Sequence, residues 1–182
     1  PSAGDAAGWR AIASPADQAR IDGLAARWQK LDTAIPARRR PRGAVERHLL
    51  DPAAAQPLAA IPPGAYWCRL HRIGAVPISA GGSPDYCFVT LEHGKLAFTR
   101  QSGTTLPGGW LFADEDNKRM VLLATDRPAG AASAPAYGSN AARDIVGVIE
   151  RIGPLKWRLV TPRGDTGPIE IYDLMPAPTQ PE

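Results

Sequence analysis

From Ile61 onward the sequence consists of short runs in which apolar and polar residues alternate, with turn residues between the runs. Alternation of this kind places successive side chains on opposite faces of a strand, so each run predicts one β-strand. Gly and Pro are abundant, with 18 and 19 residues, and supply the turns. The predicted strands cover residues 66–73, 86–92, 95–100, a fourth strand opening at 109–112, 119–125, 144–152, 156–161 and 169–174.

Strands joined mostly by turns predict an antiparallel meander, and about eight strands suffice to close a small barrel. A sandwich is the alternative that the sequence leaves open. No long helical run separates the strands, which excludes parallel β-α-β units. The predicted fold class is therefore mainly β with N-terminal α-helices, an antiparallel barrel or sandwich of about eight strands that is lipocalin- or calycin-like in outline.

The N-terminal part of the chain is helical by a different pattern. Ser14 followed by Pro15 and then Asp17 is typical of a helix start. An apolar stripe at helical spacing follows, and Pro36 ends it; the stripe contains Ile21, Leu24, Ala25, Trp28 and Leu31.

A second, shorter helix is predicted from Gly43 to Leu50, with Val45 and Leu49 on one face, ending at Asp51-Pro52. We expect residues 1–60 to form a helical segment packed on the β part, residues 61–176 to form the barrel domain, and residues 177–182 to form a flexible tail.

The two cysteines fall on neighbouring predicted strands. Cys68 shares a face with Tyr66 and Leu70, and Cys87 shares a face with Val89 and Leu91; both faces are predicted to point into the core. Antiparallel pairing would bring the two sulfurs together. We therefore predict a Cys68–Cys87 disulfide in an oxidising compartment, whereas in a reducing cytosol both would remain inert thiols.

Charge and hydropathy exclude two classes of partner. The net charge is +3, but residues 1–60 carry nine basic and six acidic residues while residues 61–182 carry twelve of each. A neutral β part lacks the continuous basic stripe of a nucleic-acid groove, and the basic run at residues 38–42 is interpreted as a solvated linker rather than a phosphate contact. No apolar run is long enough to span a membrane.

The chain begins at Pro1-Ser2-Ala3-Gly4, which fits either a processed mature end or the boundary of a cloned segment. We expect a periplasmic or secreted bacterial protein whose signal peptide has been removed, acting as a monomer.

Several stretches of the chain carry a resemblance to a known family. They are Pro62-Pro63-Gly64-Ala65-Tyr66-Trp67-Cys68-Arg69, Tyr86-Cys87, the run from Arg143 to Pro154, and Trp157-Arg158-Leu159-Val160. They resemble a bacterial family labelled domain of unknown function 4893, whose members are exported proteins of alphaproteobacteria that begin with an amphipathic helix rich in Trp and Arg. The resemblance covers the chain from about Trp9 to Pro176. The resemblance implies localisation to the cell envelope and a core with paired cysteines, and it implies no activity.

A looser similarity is to lipocalin-like barrels and small periplasmic protease inhibitors. Gly64-Ala65-Tyr66-Trp67 is similar to the glycine-x-tryptophan that opens the first strand of a lipocalin. A shared fold carries no function by itself.

The sequence contains no catalytic or metal-binding constellation that we would select, and no cofactor is predicted. The three histidines fall on different predicted elements, and no nucleophile elbow is present. The candidate ligand-binding group consists of Trp67, Arg69, Arg100 and Trp110, which combine aromatic walls with cations able to orient an anionic head.

Strand alternation turns Trp67 and Arg69 outward, so a pocket that uses them would lie between the barrel wall and the N-terminal helices. We expect non-enzymatic binding of a small apolar or anionic ligand, or of an envelope protein such as a protease. A structural or assembly role in the envelope and a protease-inhibitor-like barrel are the alternatives, and an enzyme ranks last.

Overall fold

The fold is known from a computed structural model, which describes residues 8–74, 85–103, 105–128 and 130–178. Within these residues eight antiparallel strands close into a barrel, in which each strand pairs with the next and β8 pairs with β1. The strands are β1 Gly64–Ile73, β2 Asp85–Glu92, β3 Lys95–Arg100, β4 Pro107–Ala113, β5 Met120–Asp126, β6 Asp144–Gly153, β7 Lys156–Pro162 and β8 Ile169–Pro176.

Every predicted strand is present, and the closed barrel is confirmed over the sandwich. The first and fourth strands each begin two residues earlier than predicted, at Gly64 and Pro107. Pro107 and Gly108 pair with Asp126 and Thr125 of β5, although neither carries the side-chain alternation from which strands are predicted. The residues at Pro1–Gly4 and residues 179–182 of the expected tail lie outside the described residues.

The N-terminal helices are α1 Trp9–Ile12, α2 Pro15–Asp22, α3 Leu24–Thr33 and α4 Ala44–Leu50. The predicted start is confirmed, since the Ser14 hydroxyl accepts a hydrogen bond from the Asp17 backbone N–H at 3.2 Å. The single long helix predicted up to Pro36 is wrong, because α2 ends at Asp22 and α3 begins at Leu24, with Gly23 as the cap between them.

The assignment of two residues to the buried apolar faces of these helices is wrong as well. Ala25 and Val45 are exposed, whereas Leu49 and Leu50 are both buried. The short α4 helix is therefore anchored by consecutive leucines at its C-terminal end, where the chain turns toward the barrel, rather than by a stripe along its length.

The helices pack on the outer wall of the barrel through one apolar layer. Ile21, Leu24 and Trp28 are each at most 3% exposed. This layer contains, from the helices, Trp9, Ala13, Ile21, Leu24, Trp28, Leu49 and Leu50, and from the outward faces of the strands, Val121, Leu123, Val146, Val148, Val160, Ile169 and Ile171. The apolar stripe of α2 and α3 is thus buried against strands β5 to β8 and the end of β1 at Ile73.

Arg158 of β7 lies within this layer with no exposed surface. Its guanidinium carbon is 4.3 Å from the centroid of the Trp28 ring, and its Nη1 donates to the backbone oxygens of Leu49 and Asp51, each at 2.7 Å. Nε donates to Glu150 at 2.8 Å. One side chain therefore joins α3, the end of α4 and two strands.

The interior of the barrel is filled by inward-facing side chains, among them Cys68, Cys87, Phe98, Leu122, Ile149, Leu159 and Leu174. The Cys68–Cys87 disulfide is confirmed, with Cα atoms 5.8 Å apart. Cys87 lies opposite Tyr66 and Cys68 opposite Asp85, so the bridge joins β1 and β2 diagonally.

Leu91 is exposed, and its predicted place in the core is wrong. The reason is that β1 begins at Gly64, opposite Val89, so the β2–β3 hairpin extends past the end of β1. Among the described residues, no helix is both long and apolar enough to cross a membrane.

Candidate functional site

The two ends of the barrel interior differ in chemistry. At the end where β1 begins, inward-facing Tyr66 and Trp157 pack edge to face in the apolar core. At the opposite end, charged side chains occupy the inward-facing positions; we call this the polar end, and it contains Arg72, Asp85, Arg100, Asp126, Arg163, Glu170 and Tyr172. Charged side chains at core positions are rare unless they are paired, so each charge at the polar end should have a partner.

Glu170 is the centre of the polar end and is 3% exposed. Arg72 Nε donates to Oε1 at 2.9 Å, and Arg163 Nε donates to Oε2 at 2.8 Å. Arg72 comes from β1 and Arg163 follows β7, the two strands that flank β8, so the carboxylate is held from both sides. Among the described residues, none accepts a hydrogen bond from the terminal Nη groups of either arginine.

Arg100 lies deeper, with 5% of its surface exposed. It pairs with Asp85, and its Nη1 donates to the Thr105 backbone oxygen at 3.1 Å. Its guanidinium carbon is 5.3 Å from the centroid of the Tyr172 ring, in cation–π range. Its buried Nε has no hydrogen-bond partner within the described part of the chain.

The approach of the β3–β4 connection to Arg100 depends on a glycine. Gly103 has a φ of +106°, and a Cβ at this position would collide with the Arg100 guanidinium group. A side chain here would therefore be strained in its backbone and would displace the cation beneath it.

The ionisation states of the polar end follow from these contacts. Burial acts to raise the pKa of Asp85, but hydrogen bonds from Arg100 and Ser102 outweigh it and hold that pKa below its ordinary value. Burial, assisted by the charge of Glu170, raises the pKa of the Tyr172 phenol. Tyr172 therefore stays protonated and donates to Glu170 at 3.2 Å.

The four residues selected from the sequence do not form one group. Arg100 points into the barrel, whereas Trp67, Arg69 and Trp110 lie on the outer wall. The Trp67 ring lies 4.5 Å from that of exposed Tyr86, centroid to centroid. The pocket expected between these side chains and the N-terminal helices stays a prediction. The helices contact β1 toward its other end, where Ile73 joins the helical layer and His71 lies 3.7 Å from Glu46.

Trp110 lies on β4, well away from the β1 residues, and lines a groove of its own. Ligand binding by these four residues stays a prediction. The sequence did not point to Arg72, Arg163 or Glu170. The signal was present, since Arg72 and Glu170 stand in phase with core-facing Leu70 and Tyr172 of their own strands.

Histidine and carboxylate chemistry is spread out rather than clustered. His48 makes a hydrogen bond with the Ile152 backbone oxygen at 2.7 Å, while His71 is buried 3.7 Å from Glu46. Among the described residues, no group of three or more His, Cys, Asp or Glu side chains is placed to hold a metal ion.

Comparison with known protein families finds one family model that matches residues 9–174, which is most of the 182-residue chain. The chain belongs to the family described as Domain of unknown function (DUF4893). The DUF4893 match runs from α1 to β8 and therefore includes both the helical layer and the polar end. Comparison with curated proteins and with solved structures finds no match.

Proposed function

We propose that this DUF4893 protein is a non-enzymatic binding protein of the periplasm or the extracellular space, and that it holds a small anionic ligand at the polar end of its barrel. The observation that carries the proposal is the pair of arginines on Glu170. Arg72 and Arg163 use only Nε to hold the carboxylate, which leaves their Nη edges available within the described part of the chain. Guanidinium edges match the geometry of carboxylate and phosphate groups.

The setting of the two guanidinium edges supports an anion. These edges are positively charged and partly buried, and electrostatic attraction there is screened less than in water. The side chains of Arg72 and Arg163 are 34% and 28% exposed, so a ligand can reach them from solvent. The filled interior favours a ligand bound at the end of the barrel over one enclosed in a lipocalin-like lumen.

The proposed compartment rests on the disulfide. Disulfides persist in oxidising environments such as the periplasm and are rare in the cytosol. The Cys68–Cys87 bridge also joins the strands that carry Asp85 and Arg72, so an oxidised protein holds β1 and β2 together next to the polar end.

The test is isothermal titration calorimetry of the full chain with two probes, inorganic phosphate and citrate. We expect at least one of them to bind, and to bind more weakly as salt is raised. Arg72→Gln and Arg163→Gln should each weaken binding by about tenfold or more, because each removes a charged hydrogen-bond donor. Arg69→Gln is the matched control, since Arg69 is an exposed arginine of the same strand on the outer wall.

Arg72→Lys separates charge from geometry. It keeps the positive charge but loses the planar guanidinium edge, so binding should lie between that of the wild type and that of Arg72→Gln. Thermal melts of each variant identify any that fail to fold. The proposal is wrong if neither probe binds at millimolar concentration, or if the Arg72 and Arg163 variants bind as well as Arg69→Gln does.

A further inference from the structure

A groove on the outer wall of the barrel is separate from the polar end and borders the helical layer at Leu123 and Tyr137. Its floor is the outward face of β3 and β4, where Ala97, Thr99, Gly108 and Trp110 lie. Its far side is the segment from Ala132 to Tyr137, and the groove has a volume of about 450 Å³. That volume lies within the range of small-molecule sites.

The far side of the groove belongs to the long β5–β6 connection. By the strand bounds this connection spans residues 127–143, whereas β2–β3 and β6–β7 are joined by residues 93–94 and 154–155 alone. Connections of this length without secondary structure are uncommon in a compact domain and are usually either functional or linker segments; the hydrogen bonds of this connection favour the first of these.

Hydrogen bonds hold this connection at several points. Arg127 Nη1 donates to the Ala131 oxygen and Thr125 Oγ1 donates to the Pro135 oxygen, each at 2.7 Å. The Tyr137 hydroxyl donates to Asp17 of α2 and accepts from the Ser14 backbone N–H at 3.1 Å. The groove is therefore formed before any ligand arrives, which lowers the entropic cost of binding.

The approach of the connection to the wall is also fixed. A Cβ on Gly108 would come within 2.9 Å of the Ala134 Cβ, so only the absence of a side chain lets the connection lie this close to β4.

The groove combines an aromatic surface with uncharged polar groups. Trp110 is 38% exposed although it is a large apolar side chain. Thr99, Gln101 and Ser133 supply hydroxyl and amide groups beside it. Glu92 and Arg127 also line the groove, and their charges cancel, so the groove carries no net charge among its described lining residues.

We infer that this groove binds a neutral saccharide. One face of a sugar ring is made of C–H bonds that pack on an aromatic ring, while its hydroxyls require hydrogen-bond donors and acceptors around the edge. Trp110 provides the ring, and Thr99, Gln101 and Ser133 provide the donors and acceptors. An anion would find Arg127 here opposed by Glu92, in contrast to the two arginine edges of the polar end. The inference is independent of the proposed function.

The test uses the full chain and three disaccharides, N,N′-diacetylchitobiose, cellobiose and maltose. Tryptophan fluorescence and calorimetry report binding. We expect at least one disaccharide to bind with little dependence on salt, because the ligand is neutral. Trp110→Ala should weaken it by about tenfold or more through loss of the stacking surface, and Trp110→Phe should recover part of that loss.

Trp67→Ala is the matched control, because Trp67 is a partly exposed tryptophan of the outer wall that lies outside the groove. It should leave disaccharide binding unchanged, as should Arg72→Gln. The inference is overturned if none of the three disaccharides binds at millimolar concentration. It is equally overturned if Trp110→Ala binds as the wild type does, or if Trp67→Ala loses as much affinity as Trp110→Ala.

Discussion

Replacing Trp28 by alanine tests how firmly the helical layer is joined to the barrel. The indole is 2% exposed within the apolar layer between α3 and the outer wall, and the guanidinium carbon of Arg158 is 4.3 Å from its ring centroid. Trp28→Ala removes the ring from both contacts. Arg158 would then stay buried, with its bonds to Leu49, Asp51 and Glu150 but without an aromatic surface beneath it.

The expected loss in free energy of unfolding is about 3–5 kcal/mol, the range for a buried aromatic replaced by alanine. The lost cation–π contact contributes up to about 2 kcal/mol in a desolvated setting, so we expect a loss in the upper half of that range. For a chain of this length, about 2–4 °C of melting temperature correspond to 1 kcal/mol, so the melting temperature should fall by roughly 6–20 °C. Trp28→Phe should keep much of the stability, because it retains a ring.

Urea denaturation followed by far-ultraviolet circular dichroism measures the change as a shift of the midpoint at constant slope. Trp110→Ala is the matched control, because that ring is partly exposed on the wall that the helices leave uncovered, and it should cost much less. Equal midpoint shifts for Trp28→Ala and Trp110→Ala would refute the reasoning. They would mean that the helical layer contributes nothing to the measured stability of the barrel.

Three further outcomes are expected. Burial lowers the pKa of His71, so the unfolded chain binds a proton at a higher pH than the folded chain does. The free energy of unfolding should therefore fall as the pH drops below 6.5. In melts at several pH values, His71→Leu should reduce this loss, whereas the exposed control His93→Asn should not. In urea denaturation, Gly103→Ala should lower the free energy of unfolding by about 1–3 kcal/mol more than Gly138→Ala does. Both glycines have a positive φ, but only a Cβ on Gly103 would collide with a side chain, that of Arg100. Equal losses would contradict this. Reducing the disulfide should lower the free energy of unfolding by about 3 kcal/mol, and the unreduced, unfolded protein should show no reactive thiol, whereas two would contradict the bridge.

The strand order and the disulfide could be predicted from the sequence because both depend on alternation along single strands. Cys68 and Cys87 each stand in phase with apolar neighbours, and antiparallel pairing of consecutive strands brings two such residues together when the register aligns them, as it does here. A meander needs no information beyond this, since each strand pairs with the one that follows it.

The polar end could not be predicted in the same way. A charged residue at the end of a strand is usually exposed, so the phase of Glu170 carries little weight until its partners are known. Arg72 and Arg163 are far apart in sequence, and only closure of β8 onto β1 brings both to one carboxylate. The break at Gly23 has a similar origin, because the helical stripe fits one long helix equally well.

The pairing of β8 with β1 has a consequence for any shortened form of the protein. A closed barrel has no strand edge with unsatisfied backbone N–H and C=O groups, but removal of β8 would expose two at once, along β1 and β7. The same removal would take away Ile169 and Ile171 from beneath the helices and Tyr172 and Leu174 from the interior. Chains cut back before Ile169 should therefore self-associate through these edges, so the last strand protects the remaining seven from aggregation.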